Sequence, residues 1–153
     1  MRALIPRLMF SAVFLFIAAC SNSPKKTESL AIETKKFSGV LPCENCTGIS
    51  TELILKRNTA SDTPAGFFLH EVKIDSPGGE RVNSLWGEWS QKSNNTNQKE
   101  VVYILHPEVG EARYYQVHPD GKLEPIDTSG QPLNNRNGTP VALQHLVTVT
   151  QPN

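Results

Sequence analysis

Apolar and polar residues alternate along most of the chain from Phe37 onward. In Ile49–Leu55, the residues Ile49, Thr51, Leu53 and Leu55 take one side while Ser50, Glu52 and Lys56 take the other. That is the period of a strand with one face buried. Phe67–Asp75 alternates again, with Phe68, His70, Val72 and Ile74 on one face. Val82–Gln91 is a third such run, interrupted at Gly87, where a bulge or a close backbone contact is expected. Val101–Leu105 is continuously apolar and suits a well-buried strand. Glu111–His118 and Lys122–Asp127 flank Pro119-Asp120-Gly121, a hairpin signal. Val141–Val149 closes the chain, with Val141, Leu143, His145, Val147 and Val149 on one face.

Turn chemistry separates these runs. Asn58–Gly66 and Lys92–Lys99 read as polar loops, Ser76-Pro77-Gly78-Gly79 as a turn, and Asp127–Asn137 as a turn-rich stretch. Seven or eight short strands at such spacing, with no amphipathic helix, predict an all-β sandwich or barrel. A small antiparallel β-barrel is preferred, because closure removes exposed strand edges.

The stretch Phe37–Leu55 stands out chemically. It reads as a short strand, a stop at Pro42, the motif Cys43-x-x-Cys46, a return at Gly48 and a second strand. The two cysteines therefore belong at the lip of a hairpin-like unit.

The amino terminus changes the meaning of those cysteines. Arg2 and Arg7 precede an apolar run, Leu8–Ala19, that is short for a permanent membrane span. It ends in Ile17-Ala18-Ala19-Cys20, small residues followed by a thiol, which resembles the lipobox of bacterial lipoproteins. Residues 1–19 are expected to be a lipoprotein signal peptide and Cys20 the lipidation site. Ser21 after that cysteine resembles the sorting pattern that favours the outer membrane, giving an anchored protein with its domain in the periplasm. Removing Arg2 and Arg7 from a chain of 15 basic and 15 acidic residues leaves a mildly acidic product. Nothing in that balance suggests nucleic-acid binding. Residues 20–36, rich in Ser, Lys and Glu, read as a flexible tether, and 37–153 as one domain.

With Cys20 lipidated, Cys43 and Cys46 are the remaining thiols of an exported domain, where oxidation would pair them. Three states are open to the pair: a structural disulfide, a metal-responsive dithiol suited to Cu(I), and an exchange-active redox couple. The last lacks the βαβ context in which such motifs usually work. His70 and His145, on otherwise apolar faces, read first as hydrogen-bonded core residues and second as copper ligands should either face the lip. His106 and His118 precede prolines at strand ends and read as exposed. Trp86, Trp89, Tyr103, Tyr114 and Tyr115 read as barrel filling, or as the lining of a ligand cavity. No catalytic triad, carboxylate pair or phosphate loop stands out, and no enzyme is expected.

The core S-G-V-L-P-C-x-x-C-x-G-I within Phe37–Ile49 resembles the amino-terminal domain of the NlpE copper-resistance lipoproteins. Trp86-Gly87-Glu88-Trp89, Tyr114-Tyr115 through Asp127, and Gly130-Gln131-Pro132-Leu133 are similar to further stretches of that family. The resemblance implies a lipocalin-like barrel on an outer-membrane lipoprotein, linked to copper tolerance and to envelope stress through a sensing partner. The best-known member carries a second, OB-like domain with another cysteine pair. This sequence shows no counterpart of it, so signalling that depends on that domain is not expected. An alternative is a lipocalin-like binding module in which the cysteines only staple a loop.

Overall fold

A computed structural model of the protein describes residues 32–93 and 100–147. Within them the alternating segments form eight antiparallel strands: β1 (Ile32–Leu41), β2 (Gly48–Asn58), β3 (Thr63–Ile74), β4 (Arg81–Ser93), β5 (Val101–Pro107), β6 (Arg113–Val117), β7 (Leu123–Ile126) and β8 (Gln144–Leu146). Each of β1 to β6 pairs with the next in chain order, and β8 returns along the free side of β1. Leu123 and Leu143 exchange two backbone hydrogen bonds, 3.0 and 2.8 Å, so the segment entering β8 also touches β7. The sheet thereby becomes a nearly closed barrel, with Lys36–Ser38 of β1 paired to β8 and Leu123 of β7 bridged to Leu143.

The interior is filled by side chains, as expected for so few strands. Cross-strand register sets Phe37 beside Leu53, Leu53 beside Leu69 and Leu69 beside Leu85. Leu53, Leu69, Leu105, Leu123 and Leu143 are wholly removed from solvent, with Phe37, Leu55, Phe67, Trp89 and Tyr115 packed around them. Each such aliphatic side chain contributes about 1.5–3 kcal/mol through burial.

The two ends of the barrel differ. At the β2–β3 end the Arg57 guanidinium lies 4.9 Å from the Trp89 ring centroid. The Trp89 indole N–H donates to the Lys56 carbonyl at 2.8 Å, and Arg57 donates to Gln91 Oε1 and to Asp62. A register shift between Lys56 and Arg57 interrupts β2 at this point. Together these groups plug that end. Ile32 pairs with Asn58 beside the plug, so the described amino terminus leaves there. The opposite end carries the β1–β2 and β3–β4 connections and the segment between β7 and β8.

Several sequence expectations need correction. β1 begins at Ile32, so residues 32–36, read as the end of the tether, are strand. In β3 the inward side chains are Phe67 and Leu69, whereas Phe68 is exposed and His70 half-buried with it on the outer side. Both faces of that run carry apolar residues, and pairing with Leu53 and Leu55 decides between them. Val101–Leu105 is only partly buried apart from Leu105. The last strand spans three residues, with Leu143 buried just before it and Val147 exposed after it. The expected signal peptide 1–19, Cys20 and residues 21–31 lie outside the described residues.

Candidate functional site at the open rim

β1 stops at Leu41 because Pro42 has no N–H to continue the ladder. Residues 43–46 then turn back, and Cys43 and Cys46 form a disulfide with Cα atoms 5.3 Å apart. Cys46 is buried, while Glu44 and Asn45 face solvent. The Cys46 sulfur lies 3.2 Å from the Gly48 carbonyl oxygen. Gly48 serves here by its lack of a side chain, since a Cβ would collide with Val40. The loop is pinned to β3: the Thr47 N–H donates to the Ile74 carbonyl, and its hydroxyl donates to Asp75 Oδ2, each at 3.0 Å.

A second pin comes from much later in the chain. Asn135 accepts the N–H groups of Asn137 and Thr139 on its side-chain oxygen, a turn chemistry typical of asparagine. A bridge between Asn134 and Pro140 closes this small hairpin. Arg136 at its tip donates to the carbonyl oxygens of Cys46 and Cys43 at 3.1 and 3.4 Å.

Beside the disulfide loop the barrel mouth opens into a cavity of about 510 Å³. Leu41, Ile49 and Leu133 give it apolar walls, and Lys73, Arg81 and Arg113 place three cations around it. Glu71, also in the wall, accepts a 2.9 Å hydrogen bond from the Asn83 amide. Tyr115, almost fully buried, titrates well above the usual phenol range. Burial is the main cause, the Glu71 charge adds to it, and the Arg113 charge opposes it.

The profile of the NlpE N-terminal domain matches residues 37–136, a stretch that includes both rim cysteines and ends on Arg136. The chain belongs to this NlpE family. It is similar to Lipoprotein NlpE of Escherichia coli (strain K12), with 24% identity over 142 residues, covering 88% of this chain and 54% of that protein. The chain thus spans about half the length of the curated relative it matches. No solved structure matches it.

Within this NlpE-type barrel the residues singled out from sequence do not all come together. Cys43 and Cys46 are joined at the rim. His70 lies on the outer wall, with Nδ1 3.0 Å from the Ser84 hydroxyl and its ring stacked on Phe68. His145 is exposed on β8 beside β1, its ring 5.1 Å from that of Phe37. His106 is exposed and contacts Ser90, and His118 pairs with Glu124 at the far hairpin. Among the described residues no three His, Cys, Asp or Glu side chains gather in a metal-holding group. The aromatic set divides as well: Trp89 and Tyr115 are core, whereas Trp86 is half-exposed outside.

Sequence reasoning missed Arg136 and the three mouth cations. Arg136 lies in a stretch read only as turn-rich, and no spacing rule connects it to Cys46. Lys73, Arg81 and Arg113 sit on three different strands or their ends and meet only when the barrel closes. Chemically, the closed disulfide withholds both sulfurs from any metal. Opening the disulfide would free two soft sulfur ligands.

Proposed function

We propose that this chain is a non-enzymatic envelope lipoprotein of the NlpE type, lipidated at Cys20 and held at the outer membrane with the barrel in the periplasm. Its rim dithiol acts in copper tolerance or envelope stress sensing. The observation that carries this reading is the Cys43–Cys46 disulfide at the open rim, held from both sides by Thr47 and Arg136. A bond of so few residues adds little to the stability of a barrel already filled by leucines, so its chemistry is the better reason for its place. Family membership and the name of the Escherichia coli relative support the lipoprotein part of the reading.

The described amino terminus leaves at the plugged end. The rim disulfide lies at the opposite end of the barrel from Ile32. In the oxidised state the pair offers no thiolate; after two-electron reduction by an external thiol or dithiol, Cys43 and Cys46 would be the residues to hold Cu(I) through their soft sulfur atoms. His70 and His145 supply no third ligand, since neither shares the rim.

The test is complementation of a deletion strain. Cys43→Ser/Cys46→Ser is expected to fold and reach the membrane yet fail to restore copper tolerance or the stress response. Full restoration would leave the disulfide a staple, which is the alternative reading. Loss of palmitate labelling in Cys20→Ala checks the anchor separately.

A further inference from the structure

We infer that the open mouth of the barrel is a binding site for a single-chain anionic amphiphile, with the head held by Lys73, Arg81 and Arg113 and the apolar body against Leu41, Ile49 and Leu133. The cavity of about 510 Å³ falls within the range of small-molecule sites, about 300–1,000 Å³. The cations come from β3, β4 and β6, while Leu41, Ile49 and Leu133 come from β1, β2 and the segment after β7; Val82 on β4 adds an apolar group beside Arg81.

The charge at this site is unbalanced. Three cations face one carboxylate, Glu71, whose Oε2 accepts from Asn83. Among the described residues no carboxylate lies within ion-pair distance of Lys73, Arg81 or Arg113, although the three share one cavity wall. Like charges gathered without partners repel one another, and an anion among them removes that cost while gaining charge-assisted hydrogen bonds. A metal cation is disfavoured at the same place for the same reason.

Depth limits the occupant. Below the mouth, Leu53 and Leu69 fill the barrel without exposure. A ligand cannot pass down the axis, so the body lies across the rim. A second cavity of about 270 Å³ shares Leu41, Glu71, Arg113 and Leu133 with the first and extends this path toward β7. The site needs neither copper nor an open disulfide, so it stands apart from the dithiol reading.

The test uses the full chain in nanodiscs of zwitterionic phosphatidylcholine with a diazirine-bearing medium-chain fatty acid, mapped by mass spectrometry after photolysis. The expected result is labelling within residues 41–49, 71–83 or 113–133, displaced by the unlabelled acid. Labelling should fall roughly tenfold or more in Lys73→Gln/Arg81→Gln/Arg113→Gln. Leu133→Asp, on the loop, gives the same loss with all three cations in place should the triple variant fold poorly. Equal labelling by the neutral methyl ester, indifference to both variants, or absence of label at the mouth overturns the inference. Displacement by inorganic phosphate as effective as by the fatty acid would make this a simple anion site, and overturns the amphiphile as well.

Discussion

The Arg136 guanidinium donates to the carbonyl oxygen of Cys46 at 3.1 Å from ninety residues further along the chain. One exposed side chain thereby ties the segment between β7 and β8 to the loop that carries the disulfide. Because it bonds main-chain oxygens rather than the sulfurs, it fixes where the loop sits while leaving the disulfide itself unencumbered.

Arg136→Ala should therefore loosen the loop more than the barrel. We expect a stability loss of about 1 kcal/mol, typical of exposed hydrogen bonds from a charged donor, with faster reduction of the disulfide. Alkylation of thiols during a timed exposure to dithiothreitol reads the effect directly. An unchanged reduction rate would show that Thr47 and Asp75 hold the loop without help.

Removing the disulfide makes the complementary test. Cys43 and Cys46 are separated by three positions, so the closed loop is very short and the denatured chain gains little freedom when it opens. Cys43→Ser/Cys46→Ser should cost about 2 kcal/mol or less, with the β-sheet circular dichroism spectrum retained. Collapse of the fold would mean that the bond positions β1 against β2, contrary to the ten-pair ladder that already joins them.

The fold was largely legible in the alternation, and the limits of that legibility are physical. Ile49, Thr51, Leu53 and Leu55 carry apolar or small side chains on one face against polar partners, so β2 was read in the correct orientation. Phe67–Ile74 is apolar on both faces, and its inward side is chosen only by pairing with β2. The cysteine pair was visible because its spacing is local. Arg136 and the mouth cations were not, because contacts between distant strands exist only after closure. Ile32–Lys36 was misread because its composition matches a linker, while two flanking strands hold part of it in the sheet.

Trp86 and Trp89, three positions apart, should behave oppositely. Trp89 is 5% exposed, bonded to the Lys56 carbonyl and covered by Arg57; Trp86 is 53% exposed. Trp89→Ala should cost about 3–5 kcal/mol through the cavity and the lost plug. Trp86→Ala should stay within about 0.5 kcal/mol. Urea midpoints of the two variants decide it, and similar losses in both would mean that the assignment of faces in β4 is wrong.

Between those tryptophans Gly87 has no room for a side chain. A Cβ there would run into the His106 carbonyl oxygen and stand 3.0 Å from the Pro107 Cα, both backbone atoms of the paired β5. Gly87→Ala must therefore push two strands apart, at a cost of about 1–3 kcal/mol. A wild-type melting temperature in that variant would show that β4 and β5 separate more readily than their ladder suggests.

The clearest pH effect belongs to Tyr115. Burial beneath the mouth, reinforced by Glu71 and only partly offset by Arg113, raises its phenol well above the value of about 10 that it has in the unfolded chain. A group whose folded pKa is raised favours the folded state wherever the unfolded chain also keeps the proton. Its contribution is thus complete below about pH 10 and declines as pH rises above that value, because the unfolded phenol ionises first. Stability measured by denaturant midpoint should fall above pH 10 in the parent protein and fall less steeply in Tyr115→Phe. The two proteins should differ little at neutral pH. In ultraviolet titration, one phenolate equivalent of the parent, absent from Tyr115→Phe, should appear only at higher pH, together with unfolding. Parallel alkaline limbs in parent and variant would mean that Tyr115 reaches solvent through the mouth and that the cavity extends deeper than its leucine floor indicates.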